Sequence, residues 1–419
     1  MIAQQPPMGW NSWDCYGAAV TEAQVKQNAD YMAAHLAPFG WEYVVVDIQW
    51  AQPTAINHRY EPFSDLCMDE YGRLIPAENR FPSAAGGKGF KPLADYIHGL
   101  GLKFGIHIMR GMPRMAAHRH LPILGGEYNC AEAANPHSVC AWNPDMYGLL
   151  CEKPAARAYY DSIFRLYAEW GVDFVKCDDI AREYPHCKLE IETISAACRS
   201  CGRDIVLSLS PGPAPLEQAE HLKKWANMWR ITDDFWDDWK LLKGMFERAE
   251  KWCVHAGPGH WPDADMLPVG ALRQCDNPKD WTRFTQAEQR TMMSLWCMMR
   301  SPLMIGGEMT KNDAFTLSLL TNGDILQIQR SGRGAHPLRT TEEESVWAAG
   351  RKEDTGLYAA LFNLSDKQRR IRVSFGDLEF RPRQARNLWT GETRRIPASA
   401  ETMSATLPAH DAAVYLLEG

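Results

Sequence analysis

Residues 172–180 read VDFVKCDDI, a short run of strand-favouring residues that ends in two aspartates. A period of two puts Phe174, Lys176 and Asp178 on one face and Val175, Cys177 and Asp179 on the other. A lysine within an apolar strand is unfavourable to bury without a carboxylate, so the spacing predicts that Lys176 pairs with Asp178 at the strand end. The positive neighbour would keep Asp178 ionised.

Seven more runs of this kind occur, at 8–13, 43–47, 103–107, 205–210, 229–234, 260–267 and 303–306. Helical stretches at 21–37, 91–99, 155–170, 216–224, 239–252 and 286–299 alternate with them. Eight strands with crossovers over about 300 residues predict a (β/α)8 TIM barrel. A doubly wound open sheet competes, but no glycine-rich fingerprint follows the first run. After a helix at 313–320 and the run 325–329 the pattern changes to short alternating strands, SVWAAGR (345–351), GLYAALFNL (356–364), RRIRVSF (369–375), QARNLWTGE (384–392) and AAVYLLE (412–418). These predict a C-terminal antiparallel β-sandwich at 325–419 attached to a barrel at 1–324.

Composition narrows the class of protein. The 419 residues are 45% hydrophobic and 23% charged, which excludes a disordered or collagen-like chain. Lys+Arg 45 against Asp+Glu 52 gives a net charge of −7 with no basic stripe, so nucleic acid is not an expected partner. The 12 cysteines are scattered without the paired spacing of a zinc or disulfide framework. The one close pair, Cys198 and Cys201, falls in the helical stretch ISAACRSCG with no second half-site. The start MIAQQPPMGWNSW has neither a charged nor an apolar leader region, and no apolar run reaches about 18 residues. These features predict a cytoplasmic chain with no membrane partner. The 16 tryptophans offer flat apolar platforms that suit sugar faces; exposed ones would serve equally as contacts in a homo-oligomer.

In such a barrel the functional groups sit at the C-terminal ends of the strands. Several runs close on carboxylates: VVVDIQW at 44–50, FVKCDD at 174–179, WRITDDFWDDW at 229–239 and GHWPDADML at 259–267. A strand-end aspartate often only caps the next helix. In WRITDD, however, the alternation aligns Arg230, Thr232 and Asp234 and directs Asp233 away, again one cation with one carboxylate. Two strand ends then offer an aspartate each, the pair that glycosidic cleavage requires, one to attack the anomeric carbon and one to protonate the leaving oxygen. His107 closes the third run at the barrel mouth. Neither GxSxG nor HExxH is present. A metal-dependent hydrolase using His107, Asp178 and Asp265 competes, but Lys176 already supplies the positive charge a metal would bring. A barrel that binds carbohydrate without cleaving it is the non-enzymatic alternative, and the presence of both aspartates speaks against it.

PPMGWNSWDCY (6–16), VVVDIQW (44–50), LKFGIHIMRG (102–111), DFVKCDD (173–179), WRITDDFWDDW (229–239) and AGPGHWPDADML (256–267), in this order, resemble the family 27 glycoside hydrolases of clan D. That family holds α-galactosidases and α-N-acetylgalactosaminidases, and pairs a (β/α)8 barrel with a C-terminal β domain. The resemblance implies a retaining exo-glycosidase that acts on small carbohydrate substrates and needs no metal or other cofactor. It implies Asp178 as nucleophile and Asp234 as general acid/base, and sugar contacts from Trp13, Asp47, His107, Lys176, Arg230 and Asp265. His107 stands where many relatives have tyrosine. The α-galactosidases carry two adjacent aspartates after the second strand, the second of which binds the C6 hydroxyl; here Ile48 follows Asp47. Ile48 cannot accept that hydrogen bond. β-L-Arabinopyranose lacks the hydroxymethyl group, and some relatives with this replacement are β-L-arabinopyranosidases. Ser210 in LSLSPGP (207–213) falls roughly where α-galactosidases place a bulkier group near C2, which leaves room for an N-acetyl substituent. Secreted relatives have cysteine at the position of Ile180, a difference that agrees with a cytoplasmic chain. The segment 109–141 is expected to shape the aglycone side.

Overall fold

The computed structural model describes residues 2–351 and 356–419. Eight strands form the barrel: β1 Met8–Asn11, β2 Tyr43–Val46, β3 Lys103–Met109, β4 Phe174–Asp178, β5 Val206–Leu209, β6 Met228–Arg230, β7 Trp261–Asp263 and β8 Leu303–Ile305. They pair in parallel from β8 through β1 and on to β7. The ring closes just past β7, where Leu267 bridges Ile305.

The pleat sorts the side chains. Tyr43, Val45, Phe174, Val206, Met228, Trp261 and Met304 point inward and fill the barrel. Their alternates Val44, Val46, Val175, Cys177 and Leu207 face the surrounding helices. Those helices are α1 Glu22–His35, α2 Lys91–Gly99, α3 Pro154–Trp170, α4 Lys188–Ser200, α5 Ala219–Trp225, α6 Trp239–Trp252 and α7 Gln286–Met299. Thr21 with Gln24, and Thr285 with Glu288, form reciprocal capping boxes that fix where α1 and α7 begin. Gly171 ends α3 in the left-handed conformation at φ 84°, which lets the chain turn straight into β4.

Several strands are shorter than the apolar runs suggest. β7 stops at Asp263 because Asp265 is left-handed at φ 78°, and β4 stops at Asp178 because Asp179 is left-handed at φ 62°. β6 ends at Arg230, so the alternation expected to carry on to Asp234 gives way to a turn. The run 325–329 continues as helix α9 Gly323–Ser331, preceded by α8 Ala314–Leu320. Ile325, Leu326 and Ile328 of α9 belong to the barrel's outer core, and the change to strands comes at Gly332.

The C-terminal unit comprises β9 Gly332–Thr340, β10 Glu344–Arg351, β11 Leu357–Asn363, β12 Arg369–Ser374, β13 Gln384–Asn387, β14 Thr393–Arg395, β15 Thr402–Leu407 and β16 Ala412–Glu418. A six-stranded antiparallel sheet, ordered β9, β10, β11, β16, β13, β14, is covered on one face by the β12/β15 pair. Val346, Ala359, Leu361, Tyr415 and Leu417 face that pair, while Trp347, Ala360, Phe362, Val414 and Leu416 face the barrel. Both faces of the sheet are therefore buried. Polar ties reinforce the contact: Arg290 donates to both carboxylate oxygens of Asp411 at 3.0 and 2.7 Å, and Trp389 Nε1 donates to Ser294 Oγ at 3.0 Å.

Candidate active site

The strand ends converge on a pocket lined by Trp13, Asp14, Asp47, Tyr60, Lys176, Asp178, Arg230, Asp234, Trp236 and Asp265. Of the residues expected from sequence, Trp13, Asp47, Lys176, Asp178, Arg230, Asp234 and Asp265 line it directly. His107 and Ser210 stand behind Asp178, and Ile48 lies to one side.

Asp178 is held by three donors. His107 Nε2–H reaches Oδ2 at 3.0 Å, while Ser210 Oγ at 3.0 Å and the Asp179 amide at 3.1 Å reach Oδ1. Burial alone would raise its pKa, but the His107 hydrogen bond and the charges of Lys176 and Arg230 outweigh that and hold it well below the usual carboxylate range. Ser210 thus acts on Asp178, with its hydroxyl already committed.

The expected pairing of Lys176 with Asp178 takes a different form. Lys176 Nζ donates to Asp47 Oδ2 at 2.9 Å, and the same oxygen accepts from Asn11 Nδ2 at 2.7 Å. Strand geometry explains this, because Lys176 and Asp178 are two positions apart on one strand whereas Asp47 leans in from β2 at Lys176's own height. Despite burial, Lys176 and His107 keep the Asp47 carboxyl below its ordinary range.

A second cation organises the far wall. Arg230 Nη2 binds Asp265 Oδ2 at 2.7 Å and Asp234 Oδ1 at 3.0 Å. The left-handed turn at Asp265 also lets Oδ2 accept from the Phe235 amide at 2.7 Å, which fixes the loop that carries Asp234. Asp234 reaches Arg230 through this turn and not through strand alternation. Its side chain is 58% exposed, whereas Asp265 is buried. Asp233 points away to Arg182 at 3.1 Å, as expected. Asp265 thus serves Arg230 and the loop that carries Asp234.

Sequence reasoning missed Asp14, Tyr60 and Trp236 as pocket walls. Asp14 is buried, with Oδ2 lacking a hydrogen-bond partner among the described residues. It stands over Gly306, where any Cβ would overlap its carboxylate. Burial, then the nearby Asp265, pushes its pKa well up. Its place beside Trp13 in the WNSWDCY stretch was the available signal. Tyr60 stacks on Trp13 with centroids 5.4 Å apart and touches Trp142 at 5.0 Å, and no local pattern announces it. Ile48 is only 4% exposed and packs with Met109, Cys140 and Met146, edged by Trp13, Tyr60 and Trp142. The segment 109–141 thereby reaches the pocket wall from behind. Two stretches of it, Met112–Pro113 and Ala134–Val139, form a small antiparallel sheet with Met146–Leu149.

All 12 cysteines are free thiols. Cys198 lies within α4 and Cys201 just beyond its end, where its Sγ contacts the Cys198 carbonyl. No helix among the described residues is long and apolar enough to cross a membrane.

A parallel barrel whose mouth gathers a buried aspartate and a solvent-facing one, with Lys176 and Arg230 lining the same pocket, holds the kinds of group that glycosidic cleavage uses. The family model described as alpha galactosidase A matches residues 141–331, and that of the alpha galactosidase C-terminal beta sandwich domain matches 341–417. The crystal structure of a variant family 27 β-L-arabinopyranosidase from Geobacillus stearothermophilus, in complex with arabinose, is 54% identical. It superposes with a TM-score of 0.96 over 100% of this chain and 98% of that one. The α-galactosidase of Cyamopsis tetragonoloba is 28% identical over 99% of this chain and 87% of its own length. Alpha-galactosidase A of Cellvibrio japonicus is 27% identical over 99% and 92%. The chain belongs to glycoside hydrolase family 27 and is a retaining glycosidase.

Proposed function

We propose that this enzyme releases terminal β-L-arabinopyranosyl groups in preference to α-D-galactosyl groups, with Asp178 as nucleophile and Asp234 as general acid/base. The observation that carries the preference is Ile48, an apolar residue beside Asp47 in a buried cluster with Met109, Cys140 and Met146 against which Trp13 and Tyr60 pack. It offers no acceptor to a C6 hydroxyl, and the similarity to the Geobacillus enzyme supports the same reading.

In this mechanism a carboxylate oxygen of Asp178 attacks the anomeric carbon while Asp234 protonates the departing glycosidic oxygen. The hydrogen bonds from His107 and Ser210 suit a nucleophile that must be ionised at neutral pH. The exposure of Asp234 suits a group that meets first the leaving oxygen and then a water, from which it takes a proton as water attacks the glycosyl ester. Arg230 couples to Asp234 and steadies its charge between the two steps.

The test is a set of nitrophenyl glycosides that differ only at C6 and C2. An unpaired buried hydroxyl costs about 1–3 kcal/mol, so kcat/KM for the β-L-arabinopyranoside should exceed that for the α-D-galactoside by roughly 5- to 150-fold. Reversed values would leave an α-galactosidase, and equal values would remove the preference assigned to Ile48. Turnover of the N-acetylgalactosaminide alone would point to the α-N-acetylgalactosaminidase reading.

A further inference from the structure

At the pocket rim, outside the catalytic groups, three side chains from two distant parts of the chain converge: His58, Cys275 and Asp276. One ligand atom from each lies within 4.8 Å of the others, and no other such group of His, Cys, Asp or Glu occurs among the described residues. His58 belongs to the loop after β2, and Cys275 and Asp276 to the turn after the barrel closes at Leu267.

The hydrogen bonding around His58 is unbalanced. Its Nε2 lies 2.9 Å from the Trp13 carbonyl, which can only accept, so Nε2 carries a hydrogen. In a neutral imidazole Nδ1 is then a bare acceptor, yet it faces Asp276 Oδ2 at 2.5 Å, a second acceptor. Something positive belongs between them, either a proton or a metal ion. Cys275 Sγ is directed to the same place, 3.3 Å from Nδ1.

We propose that His58 Nδ1, Cys275 Sγ and Asp276 form a Zn²⁺ site at the rim of the sugar pocket. Sulfur, imidazole and carboxylate donors are those zinc takes, with a fourth position left for water. Tetrahedral bonding places such donors about 3.3–3.6 Å apart, so Sγ and Nδ1 are already in place and Oδ2 needs to withdraw by roughly 1 Å. The bond from Nε2 to a backbone carbonyl is the usual outer support of a metal-bound histidine. Asp276 is 42% exposed and gives the ion a way in. Binding converts the Cys275 thiol to a thiolate and releases its proton to solvent. The ring of His58 rests against both Trp13, at 5.3 Å, and Trp236, at 5.9 Å, so the ion would tie together two loops that wall the pocket.

The test uses the whole enzyme with Zn²⁺ in calorimetry and Co²⁺ as an optical probe. One Zn²⁺ per chain should bind, raise the unfolding temperature, and be replaceable by Co²⁺ with a thiolate-to-cobalt absorption band. Cys275→Ser should remove the band and weaken Zn²⁺ binding roughly tenfold or more, and Asp276→Asn should weaken it as well. Cys201→Ser, at the end of α4, should change neither. Asp276→Asn alters a partly exposed group and keeps the proposal open to refutation if Cys275→Ser does not fold. Wild-type protein with no cobalt band, or Zn²⁺ affinity equal in wild type and both variants, would leave a His58–Asp276 ion pair only and overturn the assignment.

Discussion

Lys176 Nζ lies 2.9 Å from Asp47 Oδ2, past the intervening β3 from its own strand, and not on Asp178 two residues along. The lysine therefore neutralises the wall of the pocket while its field still reaches Asp178. Asp178 is left with one oxygen bonded to His107 and the other to Ser210. Two carboxylates thus stay ionised in a buried site around one ammonium group.

That arrangement predicts an acid-side effect of His107→Phe. The hydrogen bond from His107 does most to lower the Asp178 pKa against the rise from burial. Without it the pKa rises, less carboxylate is present at a given acidic pH, and the acid limb of kcat/KM moves to higher pH. Stability follows the same sign. Because the folded-state pKa is depressed, the contribution is full above the unfolded value of about 3.9 and disappears as pH falls through the folded value. A limb that stays put in His107→Phe would count against Asp178 as the group whose ionisation governs activity.

Removing each proposed catalytic carboxylate should have distinguishable consequences. Asp178→Ala should abolish turnover yet regain some with azide, which fits the vacated space. Asp234→Ala should keep measurable activity on dinitrophenyl glycosides, whose leaving group needs no proton, and lose it on alkyl glycosides. Proton NMR of wild-type reactions should show the axial anomer first. Equal losses on both leaving groups in Asp234→Ala would reject its role as acid.

Ile48→Asp should reverse the sugar preference. The carboxylate would accept from a C6 hydroxyl, raising kcat/KM for the galactoside and lowering it for the arabinopyranoside, with a change in their ratio of about 5- to 150-fold. Ile48 is buried among Met109, Cys140 and Met146, so the variant should also lose stability, and the unfolding temperature needs to be read alongside. If the ratio does not change, Ile48 only packs behind the wall.

Asp14 offers a test of buried charge. Its folded-state pKa is raised by burial and by Asp265, so the native state holds the proton more tightly than the unfolded chain. Its contribution to stability therefore falls as pH rises above the unfolded value of about 3.9. Asp14→Asn keeps the shape and removes the titration. The variant should gain on the wild type in urea unfolding as pH increases from about 4 to 7. A difference constant with pH would mean that Asp14 is ionised in the folded enzyme.

The eight-stranded barrel and the C-terminal sheet were legible in sequence because both rest on local periodicity. Residues such as Phe174 and Val175 declare their faces by alternation. The aspartates at the strand ends were legible for the same reason. What alternation could not supply was anything set by chain closure or by turns. Asp47 meets Lys176 only because β2 and β4 flank β3 in a closed ring, and Asp234 meets Arg230 only because β6 breaks off into a loop that Asp265 holds. Tyr60 against Trp13, and His58 beside Cys275 and Asp276, unite residues with no shared local pattern. Cysteine spacing along the chain argued against any metal framework, since spacing registers only ligands close in sequence. Local propensity writes the strands and helices into the sequence. Long-range packing, which depends on every element being in place at once, decides which side chains face each other at the barrel mouth.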